Sequence, residues 1–285
     1  MITNVEIIKP GLFTTIQDEG RFGFSKYGAP KSGAMDQVSF GFANLILGNP
    51  KNSACIEWTI QPPVLKFHDT TTIVLTGGET DAFLNDEKIE MYREIKVSKN
   101  DILKINFCRK GVYGYVGIKN GFLSEEVLHS RSFYKSITPR FRLAKNDKIP
   151  YQSTSDYTDH FSAISPPLFL ENSDALEVYK GPEFDMLNDV QKSKVLDAVF
   201  TISNTINRMA IQLEEKIPNT LPSIITSPVL PGTIQLTPSG SLIVLMRDCQ
   251  TTGGYPRVLQ LTETAINQIA QKRMKEKCVF RLVEF

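Results

Sequence analysis

Leu242-Ile-Val-Leu-Met246 is a run of five apolar residues, preceded by Pro238-Ser-Gly-Ser241 and followed by the polar stretch Arg247-Asp-Cys-Gln-Thr-Thr-Gly-Gly254. A run this short, with β-branched residues at its centre and turn-forming residues around it, reads as a strand and not as a helix. The same signature recurs at Val5–Ile8, Thr71–Leu75, Ile102–Phe107, Tyr113–Ile118, Leu176–Tyr179, Thr233–Leu236 and Cys278–Val283. The 16 prolines and 18 glycines fall mostly between these runs, as closely spaced turns require. The expected architecture is mainly β, closed or barrel-like.

Only three segments carry helical periodicity. Asp36–Leu47 places Val38, Phe42, Leu45 and Ile46 at helical spacing and stops at Gly48-Asn49-Pro50. Asn188–Val199 offers Val190, Leu196 and Val199 as an apolar side. Glu263–Lys275 presents Ala265, Ile266, Ile269 and Ala270, with Thr262 as a candidate cap and Lys272, Arg273 and Lys275 near the negative end of its dipole. The polar stretch Tyr151–Ser165, closed by Pro166-Pro167, is the expected internal boundary, giving domains over 1–155 and 165–285 with strand exchange between them left open.

Composition narrows the function. In 285 residues, Lys+Arg (32) nearly balance Asp+Glu (31), which gives no support to a nucleic-acid partner. No apolar run approaches the roughly 18–20 residues of a membrane span, and the N-terminus lacks a signal-like start, so the expected location is cytoplasmic. Cys55, Cys108, Cys249 and Cys278 form no CxxC pair and read as free thiols. His68, His129 and His160 are scattered, so no metal site is expected. Phosphate-loop, dinucleotide-turn and G-x-S-x-G motifs are absent from the sequence.

Two stretches stand apart. The first runs from Pro10 to Asp36 and packs Gly11, Gly20, Gly23, Gly28 and Gly33 among Thr14, Gln17, Asp18, Arg21, Ser32 and Asp36. Glycines let a ligand approach main-chain N–H groups, and the following helix start offers further donors. The competing reading is a structural loop in which Asp36 caps a helix and Asp18 and Arg21 serve the scaffold. The second stretch is Asp248-Cys-Gln-Thr-Thr-Gly-Gly-Tyr-Pro-Arg257. Gln250 can read both sides of an amide, Gly253-Gly254 can turn N–H groups toward an oxyanion, and Asp248 can accept or shuttle a proton. Here the competing reading is a hairpin with Asp248 capping a turn. Arg208 can bind a carboxylate or be ion-paired, and Cys249 reads as an apolar filler.

The same stretches carry a family resemblance. Gly11–Gly23, Gly28–Ser39, Ala43-Asn44, Gly48-Asn49, Pro231-Gly-Thr-Ile-Gln235 and Asp248–Arg257 closely resemble, in order, the biotin-dependent carboxyltransferase-like family, also called allophanate hydrolase subunit 2. That family includes the C subunit of 5-oxoprolinase, the Kip antagonist and part of the carboxyltransferase region of urea carboxylase. The resemblance implies two tandem cyclophilin-like β-barrel domains. It implies one non-autonomous component of a hydrolase, which acts with a B-type (Kip-inhibitor-like) 5-oxoprolinase protein and an A-type protein, converting 5-oxoproline to glutamate with ATP. On this enzyme reading, Asp248 and Gln250 are the expected catalytic residues, and a small amide or lactam is expected to contact Asp18, Arg21, Ser32, Met35, Asp36, Arg208, Thr251, Thr252, Gly253, Gly254 and Tyr255. The expectation is a pocket faced by both stretches. This chain itself binds no cofactor on this reading; ATP is used by the complex, and biotin enters only on a separate carrier.

The chain departs from the family pattern in three places, one of them Gly117-Ile-Lys-Asn-Gly121, where Ala-Gly-Gly is common. Asn207-Arg-Met-Ala-Ile-Gln-Leu213 stands where Asp-Arg-Met-Gly-x-Arg-Leu is usual, and Tyr134-Lys-Ser-Ile-Thr-Pro-Arg-Phe141 replaces a glycine-rich stretch after Ser130-Arg-Ser132. These departures motivate the alternative of a binding protein that sequesters a Kip-inhibitor-like partner. A third alternative is a carboxyltransferase component acting on urea or another amide.

Overall fold

A computed structural model describes residues 1–154 and 174–283. The expected boundary at 151–165 and His160 therefore fall largely or wholly outside the described residues. The chain divides into two compact units. One contains Met1–Phe22 and 32–154, the other Gly23–Lys31 and 174–283.

The first unit contains β1 (Ile2–Lys9), β2 (Phe13–Gln17), β3 (Cys55–Thr59), β4 (Val64–Phe67), β5 (Thr71–Glu79), β6 (Ala82–Leu84), β7 (Glu87–Ile89), β8 (Ile95–Val97), β9 (Ile102–Ile105), β10 (Lys110–Ile118) and β11 (Lys148–Gln152). They form a six-stranded sheet ordered β11-β1-β4-β9-β6-β7 and a five-stranded sheet ordered β2-β3-β10-β5-β8. Side chains alternate along these strands, so Val5, Ile7, Leu65 and Leu103 of one sheet share a buried core with Ile16, Trp58, Leu75 and Val116 of the other. Gly114 lies against Trp58, where a Cβ would come within 2.2 Å of the indole. The ring thereby fills a slot that no other residue at 114 would leave open.

Helix α1 (Gln37–Ile46) lies against β5 and β10 of this unit. Its buried side is Ser39, Phe40, Ala43, Asn44 and Ile46, while Leu45 is 64% exposed. The apolar face expected from Val38, Phe42 and Leu45 is thus rotated. The cause is polar anchoring: the Asn44 amide donates to the carbonyls of Lys51 (3.2 Å) and Ser53 (2.9 Å), which turns that side inward. Gly117 permits the close approach, since a Cβ there would meet Ala43 Cβ at 3.1 Å.

In the second unit, β12 (Ala175–Lys180), β13 (Phe200–Ile206), β14 (Ala210–Lys216), β16 (Thr233–Leu236), β17 (Ser241–Leu245), β19 (Arg257–Leu261) and β20 (Lys277–Leu282) close a barrel in the order β12-β19-β16-β17-β14-β13-β20. The short strands β15 (Ser227–Pro228) and β18 (Thr252–Gly253) pair separately. Helices α2 (Asp189–Asp197) and α3 (Glu263–Ala270) complete it. The mainly β class is the one observed. Asn188 and Gln191 form a capping box at α2, but Val195 is its buried residue, and Val190 and Val199 are exposed. Thr262 caps α3 through the N–H of Ala265 at 3.2 Å, and the expected apolar face is buried. The helix ends at Ala270, five residues earlier than expected. Lys275 takes a left-handed φ of 71° and donates its N–H to Ile202 O at 2.9 Å, which turns the chain into β20.

Candidate functional site

The parts of the Gly-rich stretch that belong to the first unit, up to Phe22 and from Ser32, are built around Asp18, the residue after β2. Asp18 Oδ1 accepts from the Gly20 N–H (2.8 Å), Ser130 Oγ (2.7 Å) and Ser132 Oγ (2.6 Å), and Oδ2 accepts from the Arg131 N–H (2.6 Å). A carboxylate accepting this many donors is a strong, directional anchor. Arg21, 1% exposed, donates to the carbonyl of Ser132. Asp18 and Arg21 thus clasp the same Ser130-Arg-Ser132 segment. Gly33 has φ +92°, and a Cβ there would lie 2.8 Å from Glu19 O, so only glycine lets the two turns pass this closely. The Ala34 N–H donates to Asp18 O at 3.0 Å.

The end of the stretch is pinned from β3 and β10. Glu57, 2% exposed, accepts through Oε2 from the Met35 N–H (2.8 Å) and the Tyr115 hydroxyl (2.9 Å), and that hydroxyl accepts from the Asp36 N–H (2.8 Å). Asp36 Oδ1 caps α1 by accepting from Val38 and Ser39 N–H, each at 3.1 Å, and Oδ2 accepts from Ser39 Oγ at 2.6 Å. Burial, with the charges of Glu57 and Asp36 nearby, pushes the Tyr115 hydroxyl well above its usual pKa. Burial likewise raises the Cys55 thiol, reinforced by Asp18 and Glu57. Asp18, Arg21, Ser32, Met35 and Asp36 are therefore all buried. The sequence reading did not single out Glu57, Tyr115, Ser130 or Ser132 as site residues.

In the second unit the Asp248 carboxylate receives the Arg208 fork, Nε to Oδ2 at 2.8 Å and Nη2 to Oδ1 at 2.9 Å. Of the two readings open for Arg208, the ion pair is the one present. The backbone repeats the contact: the Asp248 N–H donates to Arg208 O (2.9 Å), and the Met246 N–H to Met209 O (2.8 Å). Arg208 lies in the turn joining β13 to β14. Asn207 Oδ1 shapes that turn by accepting from the N–H groups of Met209 (2.8 Å) and Ala210 (3.0 Å). An aspartate uses the same oxygen for the same turn, so the Asn207 departure keeps the geometry that presents Arg208.

Beyond Asp248 the chain is more open. Gln250 is half-buried, and its side chain makes no hydrogen bond among the described residues. Thr252 and Gly253 pair with Pro228 and Ser227, the Val229 N–H donates to Thr251 O (3.2 Å), and the Ile224 N–H donates to Gly254 O (3.0 Å). The Gly-Gly pair thus joins a distant segment and is not the tip of a hairpin. A Cβ at Gly253 would fall 2.5 Å from Gln235 Nε2. Thr252 and Tyr255 are exposed, and Cys249 packs with Val229 and Leu245, its thiol pushed up to about 12 by burial and the Asp248 charge. Arg257 closes the stretch on Glu183 (2.9 and 2.8 Å), whose carboxyl is held below its usual pKa by that guanidinium. Among the described residues no group of three or more His, Cys, Asp or Glu side chains is placed to hold a metal ion.

The resemblance of the chain to the carboxyltransferase-like family is borne out by a family model, whose match begins after Asp18 and Arg21. The model for the carboxyltransferase domain, subdomain A and B, matches residues 27–282. The chain belongs to that family. It is 27% identical over 289 residues to the 5-oxoprolinase C subunit of Haemophilus influenzae, covering 98% of this chain and 91% of that protein. It is 27% identical over 273 residues to the 5-oxoprolinase C subunit of Escherichia coli, covering 94% and 87%. It is 40% identical to the urea amidolyase of Lachancea kluyveri, but over 130 residues, 45% of this chain and 7% of that protein. The Kluyveromyces lactis urea carboxylase crystal structure superposes with a TM-score of 0.88 at 23% identity, over 99% of this chain and 27% of that one, and shows the shared fold. No helix among the described residues is long and apolar enough to cross a membrane.

Proposed function

We propose that this carboxyltransferase-family chain is the C-type component of an ATP-dependent 5-oxoprolinase, which hydrolyses 5-oxoproline to glutamate together with A-type and B-type partner proteins. The observation that carries the reading is coverage. The likeness to the two 5-oxoprolinase C subunits runs through nearly all of this chain and nearly all of theirs. The sequence alignment to urea amidolyase, though higher in identity, takes in less than half of the chain.

Within the second unit, Gln250 meets the lactam with its amide, donating to the carbonyl oxygen and accepting from the ring N–H. Asp248, oriented by the Arg208 fork, handles the proton at the lactam nitrogen. Thr251, Thr252, Gly253, Gly254 and Tyr255 supply polar and main-chain contacts around the ring. In the first unit, Asp18, Arg21, Ser32, Met35 and Asp36 shape the backbone of the Gly-rich segment, whose N–H groups serve substrate binding. ATP, and biotin if any, come with the partner proteins.

The higher local identity to urea amidolyase favours, as a second reading, carboxyl transfer from carboxybiotin to urea or another amide. The test is 5-oxoproline-dependent glutamate release by a mixture of all three proteins, with each omitted in turn. Release that requires every one of them supports the proposal. Release undiminished without this chain removes it, and labelled carboxyl transfer to urea in its place supports the second reading.

A further inference from the structure

A cavity of about 210 Å³ opens in the first unit, and none of the residues that line it belongs to the polar centres described above. Three segments build it: 123–125, the turn 138–140 with Phe133, and 148–150 of β11. The first and third are joined by the Leu123 N–H, which donates to Pro150 O at 2.8 Å. The turn is held from within, where the Thr138 N–H donates to Tyr134 O (3.0 Å) and the Thr138 hydroxyl accepts from the Tyr134 N–H (2.9 Å). Its Arg140 guanidinium is ion-paired with Asp147. The walls are therefore formed in advance.

The lining is divided in character. Leu123, Phe133, Pro139, Ile149 and Pro150 give an apolar surface. Lys148 and Glu125 also line the cavity, and neither forms an ion pair or side-chain hydrogen bond with any described residue, nor with the other. The hydroxyl of Ser124, another lining residue, is buried without a hydrogen-bond partner. An unpaired ammonium and an unpaired carboxylate beside apolar lining residues suit one small-molecule class: a carboxylate for Lys148, an ammonium for Glu125 and an apolar body for the rest.

We infer that this cavity binds a free apolar α-amino acid, at a site separate from the proposed lactam chemistry. The probe is L-leucine, titrated calorimetrically into the full chain while backbone amide resonances are followed. Its comparison arms are 4-methylpentanoate, which lacks the ammonium, and 3-methylbutylamine, which lacks the carboxylate. Saturable binding of L-leucine is expected, with shifts at Leu123, Phe133 and Ile149. Both comparison arms, and the variants Lys148→Met and Glu125→Gln, should weaken it by at least about tenfold. Both variants alter exposed side chains and fold as the parent does, which a thermal melt checks. Absence of saturable binding, equal binding of either comparison arm, or indifference to both variants overturns the inference.

Discussion

Asn207 stands where the family resemblance leads one to expect an aspartate, and its side-chain oxygen holds the turn that carries Arg208. Asn207→Asp should leave the urea midpoint almost unchanged, whereas Asn207→Ala should cost about 1 kcal/mol in urea unfolding, the usual loss when a side-chain cap of this kind is removed. A second residue-scale prediction follows from the Arg257 guanidinium, which lowers the Glu183 carboxyl below its ordinary pKa. The folded state then binds its proton less readily than the unfolded chain. The pair's stabilisation is present above about pH 4.3, the unfolded value, and is lost as the pH falls through the lowered one. Urea midpoints of the parent and Glu183→Gln should differ most near pH 7 and converge below about pH 4. A constant gap down to low pH would contradict this. The four cysteines are all buried and free, and burial holds Cys55, Cys249 and Cys278 well above the usual thiol pKa. A thiol reagent at neutral pH should find none of them in the folded chain and all four after denaturation.

At the scale of elements, the strands were legible where a run was short, apolar and fenced by turn residues; Thr233–Leu236 is read and observed with the same limits. Local pattern failed where a distant partner decides. The face of α1 is set by Asn44 bonding to carbonyls beyond the helix, and the end of α3 by Lys275 bonding into β13, so periodicity misjudged both. The candidate site divides in the same way. Asp18, Asp36 and Asp248 show in the sequence as charges among glycines, while Glu57 and Tyr115 look like ordinary strand residues until strand pairing brings them to Met35 and Asp36. Ser132 reaches Asp18 across 114 positions, although its place in Ser130-Arg-Ser132 was a usable signal. Asp18→Ala strands these donors in a buried site and should lower the stability of the chain by about 3 kcal/mol or more in urea unfolding, since hydrogen bonds to a charged group contribute about 1.5–3 kcal/mol each. A loss below about 1 kcal/mol would show that the clasp contributes little.

At the scale of the whole molecule, we have proposed that this chain supplies substrate-binding residues to a larger enzyme. Asp248→Ala is a poor probe of that claim, because it leaves the Arg208 guanidinium, 7% exposed, without its main partner and so confounds folding with chemistry. Gln250 is the better probe: its side chain makes no hydrogen bond among the described residues, so the fold loses little when it is truncated. The decisive measurement is therefore kcat/KM for 5-oxoproline in the three-protein mixture containing the parent chain, Gln250→Ala or Asn207→Asp. We predict a fall of about 10- to 100-fold for Gln250→Ala, the loss of one or two substrate hydrogen bonds, and parent-like values for Asn207→Asp, with both variants melting as the parent does. Parent-like turnover in Gln250→Ala would contradict the account.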